Sequence, residues 1–437
     1  MLHPFHSFWP AKGLTWAYYL IPFNASTSGL STAIPLYLLN YGGGVKEVAL
    51  AIFLSAIAST IGSLLWGKLI DRMRLRTAVI IVGAASLSIL AVCTYFASDI
   101  SVLILISTMV GFLTAGVGPV TNVFVMERSA RKDWVMTSSW ITLATCAGIV
   151  IAMLAGYLWL MFYQDDARSF AIVCSGLAMI SIIMASTLSR NVKPASYLGA
   201  DKKELSPNAA NQGIKSWRSM LGGMTKRECI FLVGLCLYFI SGNLFFTPYT
   251  PFLKENGISD SEIFLAYTIL HLSKVIYLPF NSRATSALGG ENNTIKWAYV
   301  PRLIGILSIA AFAAGVAGNS ATILLTITFV AFIAIDVSFS MWHTATTALF
   351  MRGISLGNEG KMFGINGGVV GIGLFLGSVI AGEAAPQFGY TATFSMSAGL
   401  FAISFIIMAM LFKNAHQNAK AVSRAFSLRF WMTKRIA

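Results

Sequence analysis

Charge is what this sequence has least of. Only 11% of its 437 residues are charged, against about 25% in a soluble globular domain. Acids are scarcer than bases, with 17 Asp and Glu against 31 Lys and Arg. So few charges among 56% hydrophobic residues cannot cover a surface in water, and a mean hydropathy of +0.72 points the same way: an integral membrane protein. The net charge of +14 does not mark a nucleic-acid binder, because the cations sit in gaps between apolar runs instead of forming one solvated face. Cysteine is thin too. Cys93, Cys146, Cys174, Cys229 and Cys236 lie in apolar runs without zinc-site or C-x-x-C spacing, so they read as small hydrophobes and specify neither metal nor disulfide framework. No G-x-x-x-x-G-K-[ST] phosphate loop occurs; the stretch 357–362, GNEGKM, comes nearest and fails the pattern. Without a nucleotide site, any transport would be driven by gradients or be facilitated. There is no HExxH-like pair and no second carboxylate beside the one acid placed deep in an apolar run, which argues against a membrane hydrolase. The first twelve residues hold His3, His6 and Lys12 but no small-residue cleavage site, so the first apolar run is expected to stay as an anchor.

What is present is apolar sequence in long pieces. Twelve runs fall over 14–39, 48–65, 78–97, 102–126, 136–161, 170–188, 230–253, 263–280, 297–316, 321–350, 362–385 and 391–412. Each is near the ~20 residues that cross a bilayer core as a helix. With the N-terminus inside, outer loops hold only Lys46, Arg168 and Lys254, while Lys274 and Arg302 lie within runs and the other 26 of the 31 cations fall in inner loops and tails. That asymmetry predicts cytoplasmic termini. The longest connection divides the chain into an N-terminal six-helix bundle (1–189), a cytoplasmic central loop (190–228), a C-terminal six-helix bundle (229–412) and a basic cytoplasmic tail (413–437). Apolar spacing around Ile214, Trp217, Met220 and Leu221, and around Val422, Phe426, Phe430 and Trp431, suits helices lying on the inner leaflet; for the tail, a solvated basic segment is the equal alternative.

Between the second and third runs lies GKLIDRMRLRT, residues 67–77. Its spacing G-x-L-x-D-R-x-x-x-R, carried by Gly67, Leu69, Asp71, Arg72 and Arg76, resembles the signature of the major facilitator superfamily. Arg74 stands where that family usually has glycine, and Leu75 where it usually has a basic residue. Faint repeats accompany it. Asn24-x-x-x-Ser28-x-x-Ser31 recurs as Asn243-x-x-x-Thr247-x-x-Thr250, and Glu127-Arg128-Ser129 as Met351-Arg352-Gly353. The resemblance implies an all-α integral membrane protein with twelve transmembrane helices in two six-helix bundles related by pseudo-symmetry, working as a secondary transporter by alternating access. It places Asp71 at the cytoplasmic start of helix 11, at the positive end of that helix dipole, with Arg72 and Arg76 pairing with acids such as Glu127 to latch the inner gate. The small-residue faces Ala144/Gly148/Ala152/Gly156 and Gly373/Gly377/Ala381 let backbones approach, and in that family such helices pack across the two halves.

Polar groups at membrane depth are costly and usually tied to a path or a pair. Asp336, Ser340, His343 and Thr347 recur at i, i+4, i+7 and i+11, and Tyr267, His271 and Lys274 at i, i+4 and i+7, so each set shares one helix face. Asn24, Ser28 and Ser31 form a third stripe, Ser55 and Ser59 a fourth, and Asn243 repeats Asn24. In the resembled fold these stripes face one central chamber. The bland alternatives are a helix-locking ion pair for Asp336 and Lys274, packing histidines, and amide or hydroxyl groups bonded within or between helices. Phe23, Phe245, Phe246, Tyr249 and Trp342 read first as core, and Arg302 as a side chain reaching back to the inner surface. The expected function is transport of a small organic solute, proton-coupled through Asp336, with a neutral or anionic substrate and Lys274 as its contact. A multidrug-type exporter with a neutral cavity, or a receptor that binds without moving its ligand, is the alternative. The expected partners are the solute, protons and the lipid bilayer of the plasma membrane, around a monomer with no cofactor, metal or nucleic acid. If the 67–76 turn is a latch, Asp71→Asn should insert and fold normally but cycle more slowly; wild-type transport rates in the variant would remove the latch.

Overall fold

The computed structural model describes residues 14–73, 76–128, 134–163, 167–190, 226–316, 320–353 and 359–433. Every regular element among them is helical. The α-helices are α1 (Leu20–Asn40), α2 (Val45–Met73), α3 (Arg76–Phe96), α4 (Ile100–Thr114), α5 (Val117–Arg128), α6 (Trp134–Phe162) and α7 (Ala167–Arg190). After the 191–225 segment come α8 (Lys226–Glu255), α9 (Asp260–Tyr277), the short α10 (Asn281–Ala287), α11 (Glu291–Ala313), α12 (Ala321–Gly353) and α13 (Glu359–Thr433). In a bilayer only such self-satisfied backbones can span, since lipid offers no hydrogen-bond partner.

Ten of these helical stretches are long and apolar enough to cross a membrane. α1 is not among them, because its 21 residues carry Asn24, Ser26, Thr27, Ser28, Ser31 and Thr32. The last stretch, Asn366–Leu411, has 46 residues, about twice a single crossing. Gly389 (φ 80°, ψ 168°) breaks it, in a conformation that favours glycine. Packing against α8 shows what the break does. Gly373 meets Cys236 and Phe239, and Gly377 meets Ile240 and Asn243, in rising order. Ser397 bonds Ser241, and Ser404 bonds the Gly234 carbonyl, in falling order. The chain therefore reverses at Gly389.

Small residues set the helix spacing, but they divide their work. A side chain at Gly148 would strike the Ile21 carbonyl of α1, while one at Gly156 would strike the Phe264 ring of α9 at 2.4 Å. Likewise Gly371 and Gly382 fit against Thr60 and Ala49 of α2, whereas Gly373 and Gly377 fit against α8. Of the small-residue faces read from sequence, Gly156 joins α1–α7 to α8–α13, as do the nearby Gly371 and Gly382; Gly148, Gly373 and Gly377 pack within their own half. Phe170 and Phe53 add edge and tilted ring contacts to Phe264 and Phe375 across the same boundary.

The central loop, the 214–221 segment, the side chains of the tail, and those of Gly67, Asp71, Arg72, Arg76 and Glu127 lie outside the described residues. The packing at Gly156 makes a direct test. Gly156→Leu should destabilise by about 1–3 kcal/mol through overpacking, lowering the thermal midpoint of the purified protein, and Phe264→Ala in the same chain should restore it. An unchanged midpoint in Gly156→Leu would show that α6 and α9 do not meet there.

Candidate functional site

Two predicted stripes converge. α9 begins at a capping box in which the Ser259 and Glu262 side chains bond each other's backbone N–H, which fixes the helix start and hence the phase of its faces. That phase turns Lys274 toward α12, where its Nζ lies 2.9 Å from Asp336 Oδ1. Both residues are buried. His271, one turn earlier, places Nδ1 at 3.8 Å from Asp336 Oδ2. These two facing atoms are buried and have no hydrogen-bond partner. Asp336 is thus held on one oxygen and unsatisfied on the other.

Phe339 organises the surroundings. Lys274 Nζ sits 4.8 Å above its ring, a cation–π contact in a dry setting. The exposed His343 also stacks on this ring, with centroids 5.4 Å apart. α6 packs on α9 through Gly156 and Phe264, so the first seven helices also reach the helix that carries Lys274.

Other sequence candidates bond to their own helix or to a neighbouring one. Ser340 donates to the Asp336 backbone carbonyl rather than to its carboxylate. Asn24 Nδ2 donates to the Leu20 carbonyl and, at 3.5 Å, to Thr145 of α6. Asn243 Nδ2 donates to the Leu374 carbonyl and Ser378 of α13. The Tyr267 hydroxyl shares a 3.1 Å bond with Thr250, and its ring packs on Phe332. Ser55 lies against Gly111, closing α2 on α4.

Arg302 departs from expectation. It does not reach back to a surface: it is 4% exposed, and its Nη1 donates to the Tyr238 hydroxyl at 2.6 Å. Its guanidinium lies 4.5 Å from the Tyr238 ring and 5.3 Å from Phe401. The physical reason is the aromatic cage, which compensates a delocalised cation where water is absent. Nothing in the local sequence announces it, since the cage comes from α8 and α13.

A polar tie at the α1–α2 end was also not legible. Asn40 donates to Asp260 Oδ2 at 2.8 Å, and Lys254 bonds the other oxygen. Asp260 is 1% exposed. Lys46 pairs with Glu383 at 3.5 Å, and the Tyr390 hydroxyl donates to Glu255. The Asn40 and Lys46 contacts span the two groups of helices.

Apolar helices packed across a two-part boundary, with a buried ion pair and a polar tie at one end, describe a multi-pass membrane protein, and its family makes it a transporter rather than an enzyme. The Major Facilitator Superfamily model matches residues 19–354, and the chain belongs to that superfamily. Two crystal structures of the nucleoside transporter NupG share the fold. One, of a point mutant, has a TM-score of 0.67 at 15% identity, covering 91% of this chain and 99% of that one. The other has a TM-score of 0.65 at 14% identity, covering 92% and 98%. A sodium-dependent transporter of Caenorhabditis elegans, snf-5, is 25% identical over 118 residues, which span 26% of this chain and 15% of that protein.

The tie predicts that Asp260→Ala, which leaves Asn40 and Lys254 without their acceptor, should raise hydrogen–deuterium exchange at the end of α1 and the start of α9. Unaltered exchange there would mean that the closure rests on the apolar contacts alone.

Proposed function

We propose that the protein is a proton-coupled secondary transporter of a small neutral or anionic organic solute, working by alternating access. The observation that carries this reading is the buried Lys274–Asp336 pair with His271 against its free oxygen. A carboxylate in such a place has two competing ways to be neutralised, a lysine or a proton. Movement of α9 against α12 changes which one it uses, and that links proton binding to helix position. The apolar crossings support a twelve-helix arrangement: dividing the last of the ten spans at Gly389 and adding α1 gives that number. Pseudo-symmetry is supported by Asn24 and Asn243, whose amides meet α6 and the first part of α13 in matching fashion. In this reading both termini are cytoplasmic, the protein sits as a monomer in the plasma membrane, Asp71, Arg72, Arg76 and Glu127 latch the inner side, and the Asn40–Asp260 tie closes the outer one.

Because Lys274 is neutralised by Asp336 as the site stands, an uncharged polar solute fits without breaking the pair. The fold neighbours named as nucleoside transporters make nucleosides the first neutral compounds to try. An organic anion fits only by drawing Lys274 away. The same neutral pair favours a second reading, a multidrug-type transporter; the test is the binding of a cationic dye that is indifferent to Lys274→Ala.

Sealed vesicles with an imposed pH gradient decide the main reading. Wild-type protein should accumulate a solute found by thermal-shift screening of nucleosides and organic acids. Asp336→Asn should lose accumulation while keeping solute exchange. Unchanged gradient-driven uptake by that variant would place the proton elsewhere, and binding without flux in the wild type would make the protein a receptor.

A further inference from the structure

Charge does not balance within the buried part of α8–α13. Setting aside Asp260, which Lys254 satisfies at the α1–α2 end, the buried ionisable acids and strong bases among the described residues are Lys274, Arg302 and Asp336. One carboxylate faces two cations. No carboxylate among the described residues lies within ion-pair distance of Arg302, and its Nε is buried without a hydrogen-bond partner. Asp336 Oδ2 is in the same condition. The two incomplete groups have opposite charge and lie at one level of the α11–α12 contact, where Ser338 bonds the Ala298 carbonyl and Gly305 packs on Ile335. An uncompensated charge in a dry interior is expensive, and the packing closes tightly around this guanidinium: a side chain at Gly242 would come within 2.9 Å of Arg302 Nη2.

Tyr238 bridges the gap. Its hydroxyl accepts from Arg302, while its ring stacks face to face on Trp342 of α12 at 3.9 Å and tilts toward Phe339 at 6.4 Å. The arginine is therefore fastened to the helix that carries Asp336, while Lys274 rides on α9. When α9 moves relative to α12, Lys274 can leave, and Arg302 stays.

We infer that Arg302, held by Tyr238, is the standby counter-charge of Asp336, keeping the carboxylate ionised while Lys274 is drawn away. This rests on the alternating-access reading above and adds a positioning residue to it. Without Arg302, a departing Lys274 would leave a bare buried carboxylate that takes a stray proton, and the cycle would slip. Lys274 and His271 on α9, His343 on α12, Cys146 on α6 and Tyr238 on α8 are the other titratable groups around the carboxylate. Of these, Lys274 alone competes with Arg302 as a permanent cation.

The test needs no substrate, so its outcome is independent of any flux result. Thermal midpoints are measured on the purified full chain in detergent. Arg302→Gln should have little effect alone, because Lys274 still balances Asp336. In a Lys274→Ala background the same change should lower the midpoint by about 5 °C or more beyond the sum of the single effects. In an Asp336→Asn background, where two cations are left bare, Arg302→Gln should instead raise the midpoint. A purely structural cation–π role cannot reverse sign in this way. If Lys274→Ala/Arg302→Gln yields no folded protein, Lys274→Ala/Arg302→Lys should fold as well as Lys274→Ala alone. Equal loss from Arg302→Gln in all three backgrounds, or failure of the lysine replacement where Lys274→Ala folds, would overturn the inference.

Discussion

A charge inside a bilayer must be answered by another charge or by polar and aromatic partners, and the structure depends on how that demand is met at Asp336. Placing an aspartate or lysine at the centre of a membrane helix costs about 2.5–3.5 kcal/mol on insertion scales. Removing one partner of a buried pair commonly costs about 3–5 kcal/mol. Lys274 and Asp336 meet at 2.9 Å across α9 and α12, so their attraction fixes how those two helices sit. The pair is also the place where that arrangement can change. A carboxylate satisfied on one oxygen and free on the other is held without being saturated.

The rest of the fold lets α1–α7 shift against α8–α13 without losing cohesion. In lipid there is no hydrophobic gain from joining two apolar helices, so close backbone approach supplies the contact. Across the boundary that approach runs through Gly156 on Phe264 and through Gly371 and Gly382 on α2. Among the described residues few side-chain hydrogen bonds cross it. Within α8–α13, by contrast, Ser241–Ser397, Ser404–Gly234 and Asn243–Ser378 lock helices by hydrogen bonds. Glycine contacts slide more readily than amide bonds break. Among the described residues a strong polar crossing sits at one end, at Asn40–Asp260.

Local periodicity is the part of this structure that the sequence discloses. Asp336, Lys274 and His271 share helix faces by their spacing, and their depth in apolar runs flagged them before any geometry. The membrane class and the family came from the apolar runs and from the 67–76 signature. What periodicity cannot disclose is partnership between distant elements. Arg302 looked like a snorkelling side chain because its neighbours on α11 are apolar; Tyr238 and Phe401, which cage it, come from α8 and α13. Ser340 lies on the same face as Asp336, yet its hydroxyl finds its own helix carbonyl first, the common fate of a helical serine. Asp260 gave no signal because an acid at a helix start is ordinary; only its burial against Asn40 distinguishes it.

If the proposed coupling holds, one proton binds within the Asp336–His271–Lys274 group during the working cycle, and counting protons tests this. Purified protein in weakly buffered detergent is titrated through the pH range in which wild-type transport varies, beside Asp336→Asn. The variant should bind one proton fewer, whether Asp336 holds that proton itself or His271 holds it in reliance on the Asp336 charge. Equal proton uptake by the two proteins would contradict the claim.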